Sequence, residues 1–129
     1  MVISFFVSNL FLLIFQCLSI FPLAPSSPPS DVKVIVVDST SVEVTWEPPA
    51  EQSQNGILAG YKILLSEQTR HGQDLGQPMI VTVPANLRSY HIRNLNKWTH
   101  YRVGVLAFTK AGDGPISEAI VVQTDEDGR

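Results

Sequence analysis

The sequence predicts an all-β fold, a seven-stranded antiparallel β-sandwich preceded by a hydrophobic leader. Three observations support this prediction. Short segments alternate apolar and polar residues with a period of two, as half-buried strands do. Turn residues such as proline, glycine and asparagine separate these segments at regular intervals. No segment of the body has the 3.6-residue apolar period of a helix, and a series of short strands without helices is typical of two packed sheets.

Residues 1–24 are expected to form the leader, because residues 2–21 are mostly apolar and carry no charge. We interpret them as a secretory signal peptide. Cys17 and Ser19 are small residues two positions apart, which favours cleavage after Ser19, whereas Ala24 is a weaker site because a proline follows it. The alternative is an uncleaved membrane anchor, since about twenty apolar residues can span a bilayer. The positive charges that follow such an anchor would favour a cytosolic body.

The remainder of the chain divides into three parts by composition. Residues 25–30 are rich in proline and serine and are expected to form an extended linker. Residues 31–124 carry the strand pattern and form the body. Residues 125–129 are a charged tail.

The first four strands are separated by recognisable breaks. The first is rich in β-branched residues. The second ends at Pro48, because proline cannot donate a hydrogen bond to a sheet. The third follows a turn at Asn55 and Gly56. A polar loop of residues 67–77, expected to be mobile, leads to a fourth strand that is bounded by two prolines.

The last three strands follow from the same alternation. Tyr90 and Ile92 are expected to face the core from the fifth strand. Tyr101 opens the sixth, where its ring can enter the core while its hydroxyl bonds backbone across the preceding turn, forming a tyrosine corner. Trp98 is expected to be half-buried at this corner. The seven predicted strands span residues 32–37, 42–46, 61–66, 79–83, 89–92, 100–107 and 119–124.

The composition argues against several classes of function. The formal net charge is −3 and no Lys/Arg cluster occurs, so we expect no nucleic-acid partner. The only cysteine is Cys17, so the body has no disulfide and must be held by packing. His71, His91 and His100 lack metal-ligand spacing, and we expect no metal or other cofactor. No nucleophile–base set or phosphate-binding loop is visible, so neither catalysis nor a small-molecule substrate is expected.

Four fragments occur in the order and spacing of a known family pattern. They are Trp-Glu-Pro-Pro at residues 46–49, the turn and tyrosine at 55–61, the leucine, threonine and tyrosine within 95–101, and Gly-Asp-Gly-Pro-Ile-Ser at 112–117. Together they resemble the fibronectin type III domain, an immunoglobulin-like sandwich. The residue choice is similar to that of domains in adhesion-type cell-surface receptors, such as neural adhesion molecules, Sidekick-like proteins and receptor tyrosine phosphatases.

The resemblance implies a structural core of Trp46, Tyr61, Leu95 and Tyr101. Trp46 would pack between the sheets where many immunoglobulin domains have a disulfide. The loop of residues 110–115 resembles the integrin-binding loop of the family in position, but it reads Ala-Gly-Asp-Gly and lacks the arginine, so integrin binding is not expected.

A surface for a protein partner is expected on the outer face of the sheet built from the third, sixth and seventh strands. Apolar side chains ringed by positive ones can form such a surface. The alternation assigns to it Lys62, Leu64, Arg102, Leu106, Val121 and Gln123.

The expected function is that of a non-catalytic extracellular protein-interaction or spacer module in cell adhesion or cell-surface signalling, secreted or at the cell surface, with an unknown protein partner. Contact with a membrane is expected only through residues 2–21 if they are not cleaved. The alternative is a membrane-anchored structural module without a dedicated ligand, as a fragment of a larger receptor.

Overall fold

Two antiparallel sheets pack against each other in the structure, a computed structural model that describes residues 23–126. Most of the predicted leader and the end of the charged tail therefore lie outside the described residues. Within residues 23–126, no helix has the length and apolar character needed to cross a membrane.

Eight strands and one helical turn follow one another within residues 23–126. All seven predicted strands are present, and the structure adds the one-turn helix α1 and the two-residue strand β7. In order, the elements are β1 (Ser30–Asp38), β2 (Ser41–Glu47), α1 (Glu51–Gln54), β3 (Gly60–Gln68), β4 (Met79–Pro84), β5 (Ser89–Ile92), β6 (His100–Thr109), β7 (Gly112–Asp113) and β8 (Ile120–Gln123).

The strand order confirms the predicted sandwich. One sheet has the order β1-β2-β5, and the other has the order β4-β3-β6, with β7 and β8 both paired to β6. The long pair β3–β6 runs from Gly60 opposite Phe108 to Gln68 opposite His100. The predicted sheet of the third, sixth and seventh strands corresponds to β3, β6 and β8, and β4 extends it by one strand.

The core lies between the inward rows of β2, β3 and β6. The rings of Trp46 and Tyr61 meet at its centre, with their centroids 5.4 Å apart. Alternation explains the membership of these rows, because every second side chain of a strand points to the same face. The buried inward residues of the three strands are Val42, Val44, Trp46, Tyr61, Ile63, Leu65, Tyr101, Val103, Val105 and Ala107.

The short strand β5 fills the core only in part. Ile92 is buried, whereas Tyr90, which pairs with the buried Val44, remains 37% exposed. Because β5 is the last strand of its sheet among the described residues, none of their strands covers Tyr90 on its open side. The inner face of the sandwich is therefore accessible at this edge.

The segment before β1 packs along the body. The backbone N–H of Leu23 donates to the carbonyl of Asn55 at 2.9 Å, and the buried Thr109 hydroxyl donates to the carbonyl of Leu23 at 2.8 Å. Pro25 is buried, and a Cβ added at Gly114 would lie 2.8 Å from the Cβ of Pro25. Part of the expected leader and linker is thus in contact with the domain, although the boundary at residue 24 remains a prediction.

The loop of residues 67–77 folds back against the sheet. The Gln68 side-chain amide donates to Asp74 Oδ1 at 2.8 Å, and the N–H of Leu75 donates to the carbonyl of Glu67 at 2.7 Å. Arg102 of β6 reaches the other oxygen of Asp74 at 2.6 Å. These contacts tie the loop to β3 and β6.

Candidate functional site

A tyrosine corner links the two sheets where the chain crosses from β5 to β6. The buried Tyr101 hydroxyl accepts the backbone N–H of Asn96 at 2.8 Å. Leu95 is also buried, and its N–H donates to the carbonyl of Thr40 at 2.9 Å, beside β2. Burial raises the pKa of the Tyr101 phenol above its ordinary value of 10.0. The corner therefore fixes the entry of β6 into the core.

The central aromatic pair contributes by packing alone. Among the described residues, neither Trp46 Nε1 nor the Tyr61 hydroxyl has a hydrogen-bond partner, although both atoms are buried. Burial raises the pKa of the Tyr61 phenol. The guanidinium of Arg88 lies 5.9 Å from the centroid of the Tyr61 ring. This site has the character of a structural core.

The outer face, defined here as the outward side chains of β3, β4, β6 and β8, carries an apolar row. Ile80 pairs with Leu64, and Leu64 pairs with Gly104 on the next strand. Ile116 covers Gly104 so closely that an added Cβ would lie 2.7 Å from its Cδ1 atom. A hollow of about 230 Å³ lies beside this row. Ile80 and Ile116 are exposed and Leu64 is half-buried, so the row forms an accessible apolar surface.

The prediction that Leu106 belongs to this surface is wrong. Leu106 is only 8% exposed. It pairs with Lys62, whose ammonium reaches Asp113 of β7 at 2.9 Å on the far side of β6. The line from Lys62 to Asp113 crosses β6 near Leu106, and residues 114–117 run beside β6 on its other side, where the N–H of Gly114 donates to the carbonyl of Ala107. The long stem of a lysine commonly covers apolar surface in this way.

The positive charges of the predicted surface are already paired. Lys62 contacts Asp113 and also lies 5.2 Å from the centroid of the Phe108 ring, while Arg102 contacts Asp74. The surface is therefore an apolar row between two ion pairs, whereas the sequence predicted apolar residues ringed by positive ones.

The last two predicted members lie on β8. Val121 pairs with Arg102 and is 54% exposed, whereas Gln123 pairs with His100 and is half-buried. Sequence reasoning missed Ile80 and Ile116. The alternation of β4 could have identified Ile80, since it precedes the inward-facing Val81. Ile116 lies in a loop, where no periodic signal exists.

Two loops carry residues singled out in the sequence. Asp113 lies in the segment 110–115 that resembles the ligand loop of the family, and its carboxylate forms an ion pair with Lys62. Trp98 is 55% exposed, so slightly more than half of it is accessible where half was expected. Its backbone φ is 51°. The backbone N–H of Trp98 donates to the carbonyl of Asp125, which holds the tryptophan near the end of the described residues.

Neither a metal centre nor a histidine cluster is seen in the part of the chain that the structure describes. Within residues 23–126, no three His, Cys, Asp or Glu side chains come together in a way that could hold a metal ion. The three histidines lie in different elements: His71 in the loop after β3, His91 in β5 and His100 at the start of β6.

A two-sheet sandwich of this strand order, with a tyrosine corner and a buried tryptophan between the sheets, is characteristic of immunoglobulin-like domains. The sequence profile described as "Fibronectin type III domain" matches residues 27–123. The chain belongs to the fibronectin type III family.

The chain is similar to single domains of cell-surface adhesion receptors. It is 39% identical over 103 residues to receptor-type tyrosine-protein phosphatase F of Bos taurus, which covers 80% of this chain and 5% of that protein. It is 38% identical over 104 residues to the cell adhesion molecule DSCAM of Homo sapiens, and this match covers 81% of this chain and 5% of the relative. The crystal structure of the FN5 domain of Drosophila Lar is 35% identical, with a TM-score of 0.63, and covers 78% of this chain and 97% of that domain.

Proposed function

We propose that this chain acts as an extracellular protein-interaction domain in cell adhesion or cell-surface signalling, and that its outer face contacts the partner. The observation that carries the proposal is the apolar row of Ile80, Leu64 and Ile116. The exposed Val121 of β8 lies on the same face, opposite Arg102. Exposed apolar side chains grouped on one face, with polar groups at the rim, are typical of protein-binding surfaces.

The similar proteins support an extracellular role. Two of them are named as a receptor-type phosphatase and a cell adhesion molecule. The chain spans about 5% of the length of these relatives, and the shared region is a fibronectin type III domain. Phosphatase activity is therefore not proposed for this chain. Secretion or display at the cell surface, directed by a signal peptide in residues 1–24, is part of the proposal.

A spacer role is the second candidate, and one observation favours it. The two cations that flank the apolar row, Lys62 and Arg102, are satisfied by Asp113 and Asp74 of the same chain. A surface with internally paired charges needs no partner for its electrostatic balance. The same domain would then set the distance between neighbouring parts of a receptor.

A matched pair of variants distinguishes binding from spacing. Val121→Glu places a charge on the outer face, and Ile35→Glu places one on β1 of the other sheet, at residues that are 54% and 56% exposed. The chain expressed in eukaryotic cells is tested against a panel of cell-surface receptor ectodomains. We expect binding to at least one ectodomain, a loss of about tenfold or more with Val121→Glu, and little change with Ile35→Glu. Binding to none, or equal effects of both variants, would contradict the proposal and favour the spacer.

A further inference from the structure

An open groove lies on one flank of the sandwich, away from the outer face. β4 ends one sheet and β5 ends the other, so neither strand has a further strand beside it in the part of the chain that the structure describes. The groove between these two edges has a volume of about 420 Å³. Its lining residues are Met79, Val81, Tyr90, His91, Ile92, Arg93 and Asn94.

The floor of the groove is an accessible part of the hydrophobic core. Met79 pairs with the buried Leu65 and Tyr90 pairs with the buried Val44, so both side chains face the inner side of their sheets. They nevertheless remain 44% and 37% exposed. Apolar side chains at alternate positions of a ligand strand could contact them, because residues i and i+2 of a strand share one face.

The edge of β4 lacks the features that usually prevent strand addition. Its sequence, Met-Ile-Val-Thr-Val-Pro, contains no charged residue, and its only proline is the last residue. Natural edge strands are commonly protected by lysine, by internal proline or by a covering segment. An unprotected edge presents backbone N–H and C=O groups to which an extended peptide can bind as an additional strand.

Charge at the rim indicates what kind of peptide fits. Arg93 is exposed and forms no ion pair with any residue of the described range 23–126, and no carboxylate lines the groove. We propose that this groove binds an extended segment of a partner protein, paired to β4, in which apolar residues alternate with polar ones and one groove-facing position carries an acidic side chain at Arg93. The inference rests on the proposed function in protein binding and assigns to it a second surface.

A second copy of the same chain is a poorer occupant. Symmetric pairing through β4 would bring the β5 edges of both copies to the same side, each with its own Arg93. Since no carboxylate lines the groove, the added positive charge would meet no counterion. Self-association is therefore an outcome of the test that would contradict the proposal.

The test uses the chain as it is recovered from eukaryotic expression and two fluorescent probe peptides long enough to pair with β4. In one peptide Val alternates with Thr, except that Glu replaces one groove-facing Val, and in the other peptide Lys replaces this Glu. Fluorescence anisotropy is expected to show the Glu peptide binding at least about tenfold more tightly. Arg93→Glu should reverse this preference, whereas Lys110→Glu, an exposed charge reversal in another loop, should leave it unchanged.

The other results of these experiments either support or overturn peptide binding in the groove. A reversal of preference cannot arise from misfolding, so it would support the groove directly. The proposal would be overturned if neither peptide bound, if both bound equally, or if Lys110→Glu had the same effect as Arg93→Glu. It would also be overturned if sedimentation showed a dimer whose formation competes with binding of the Glu peptide. Val121→Glu is expected to leave peptide binding intact, so that failure of the groove and failure of the outer face can be distinguished.

Discussion

The two core tyrosines of this domain should respond in opposite ways to the loss of their hydroxyl groups. Tyr101→Phe removes the acceptor of the Asn96 N–H, a hydrogen bond of 2.8 Å at the corner. Tyr61→Phe removes a buried hydroxyl that has no hydrogen-bond partner among the described residues. Both substitutions keep the ring, so the change in packing is small and the comparison isolates the hydrogen bond.

The expected magnitudes follow from the cost of unmade hydrogen bonds. A typical intramolecular hydrogen bond contributes about 1 kcal/mol, and a donor left without its partner in a partly buried site costs about 1–3 kcal/mol. We therefore expect Tyr101→Phe to lower the free energy of unfolding by about 1–2 kcal/mol. For Tyr61→Phe we expect the free energy of unfolding to stay the same or to rise by up to about 1 kcal/mol, because a desolvated hydroxyl without a partner is replaced by hydrogen.

Urea denaturation at neutral pH measures both effects. The dependence of the unfolding free energy on urea should be the same in both variants and in the unsubstituted chain, because the surface exposed on unfolding hardly changes. Equal losses of stability in Tyr101→Phe and Tyr61→Phe would refute the reasoning. A larger loss in Tyr61→Phe would show that its hydroxyl has a partner after all.

Three further predictions concern stability. Trp46→Ala should lower the free energy of unfolding by about 3–5 kcal/mol, enough to unfold much of the protein, as chemical denaturation would show. Thr109→Val leaves the Leu23 carbonyl without its donor and should cost about 1–2 kcal/mol by the same assay, whereas the exposed Thr82→Val should change stability by less than about 0.5 kcal/mol. Burial raises the pKa of Tyr61, so the folded state holds the phenol proton more tightly than the unfolded state does. The resulting contribution to the free energy of unfolding is present below pH 10.0 and declines above it. The urea midpoint should therefore fall above this pH, and less steeply in Tyr61→Phe.

Local sequence pattern was sufficient to predict the strands and the inward rows. The period-two alternation of β2, β3 and β6 depends only on backbone geometry, and Trp46 and Tyr61 occupy the inward positions it assigns. Leu106 also obeys the alternation, since it lies on the outward row. It is nevertheless buried, and its cross-strand partner Lys62 forms an ion pair with Asp113, 51 residues further along the chain, which no local pattern encodes.

The groove and the N-terminal segment depend on information that composition lacks. That β4 and β5 are edge strands follows from the order of strands in space, which a local pattern does not specify. The residues before β1 were interpreted as leader and linker because they are rich in apolar residues, proline and serine. Their hydrogen bonds to the body use backbone groups of Leu23 and Ser26, which occur in every residue and leave no mark in the sequence. The packing of Pro25 against Gly114 depends on where the segment lies in space, which the sequence pattern does not specify.

The central claim is that this fibronectin type III domain acts outside the cell, and the fate of its N-terminus tests it most directly. The full chain would be expressed in eukaryotic cells and recovered from medium and membranes, and its N-terminus would be read by mass spectrometry. We predict a species in the medium that begins at Ile20 and so retains Leu23. The claim would be contradicted by a membrane-bound chain with an intact Met1 whose domain is cleaved by added protease only after the cells are opened.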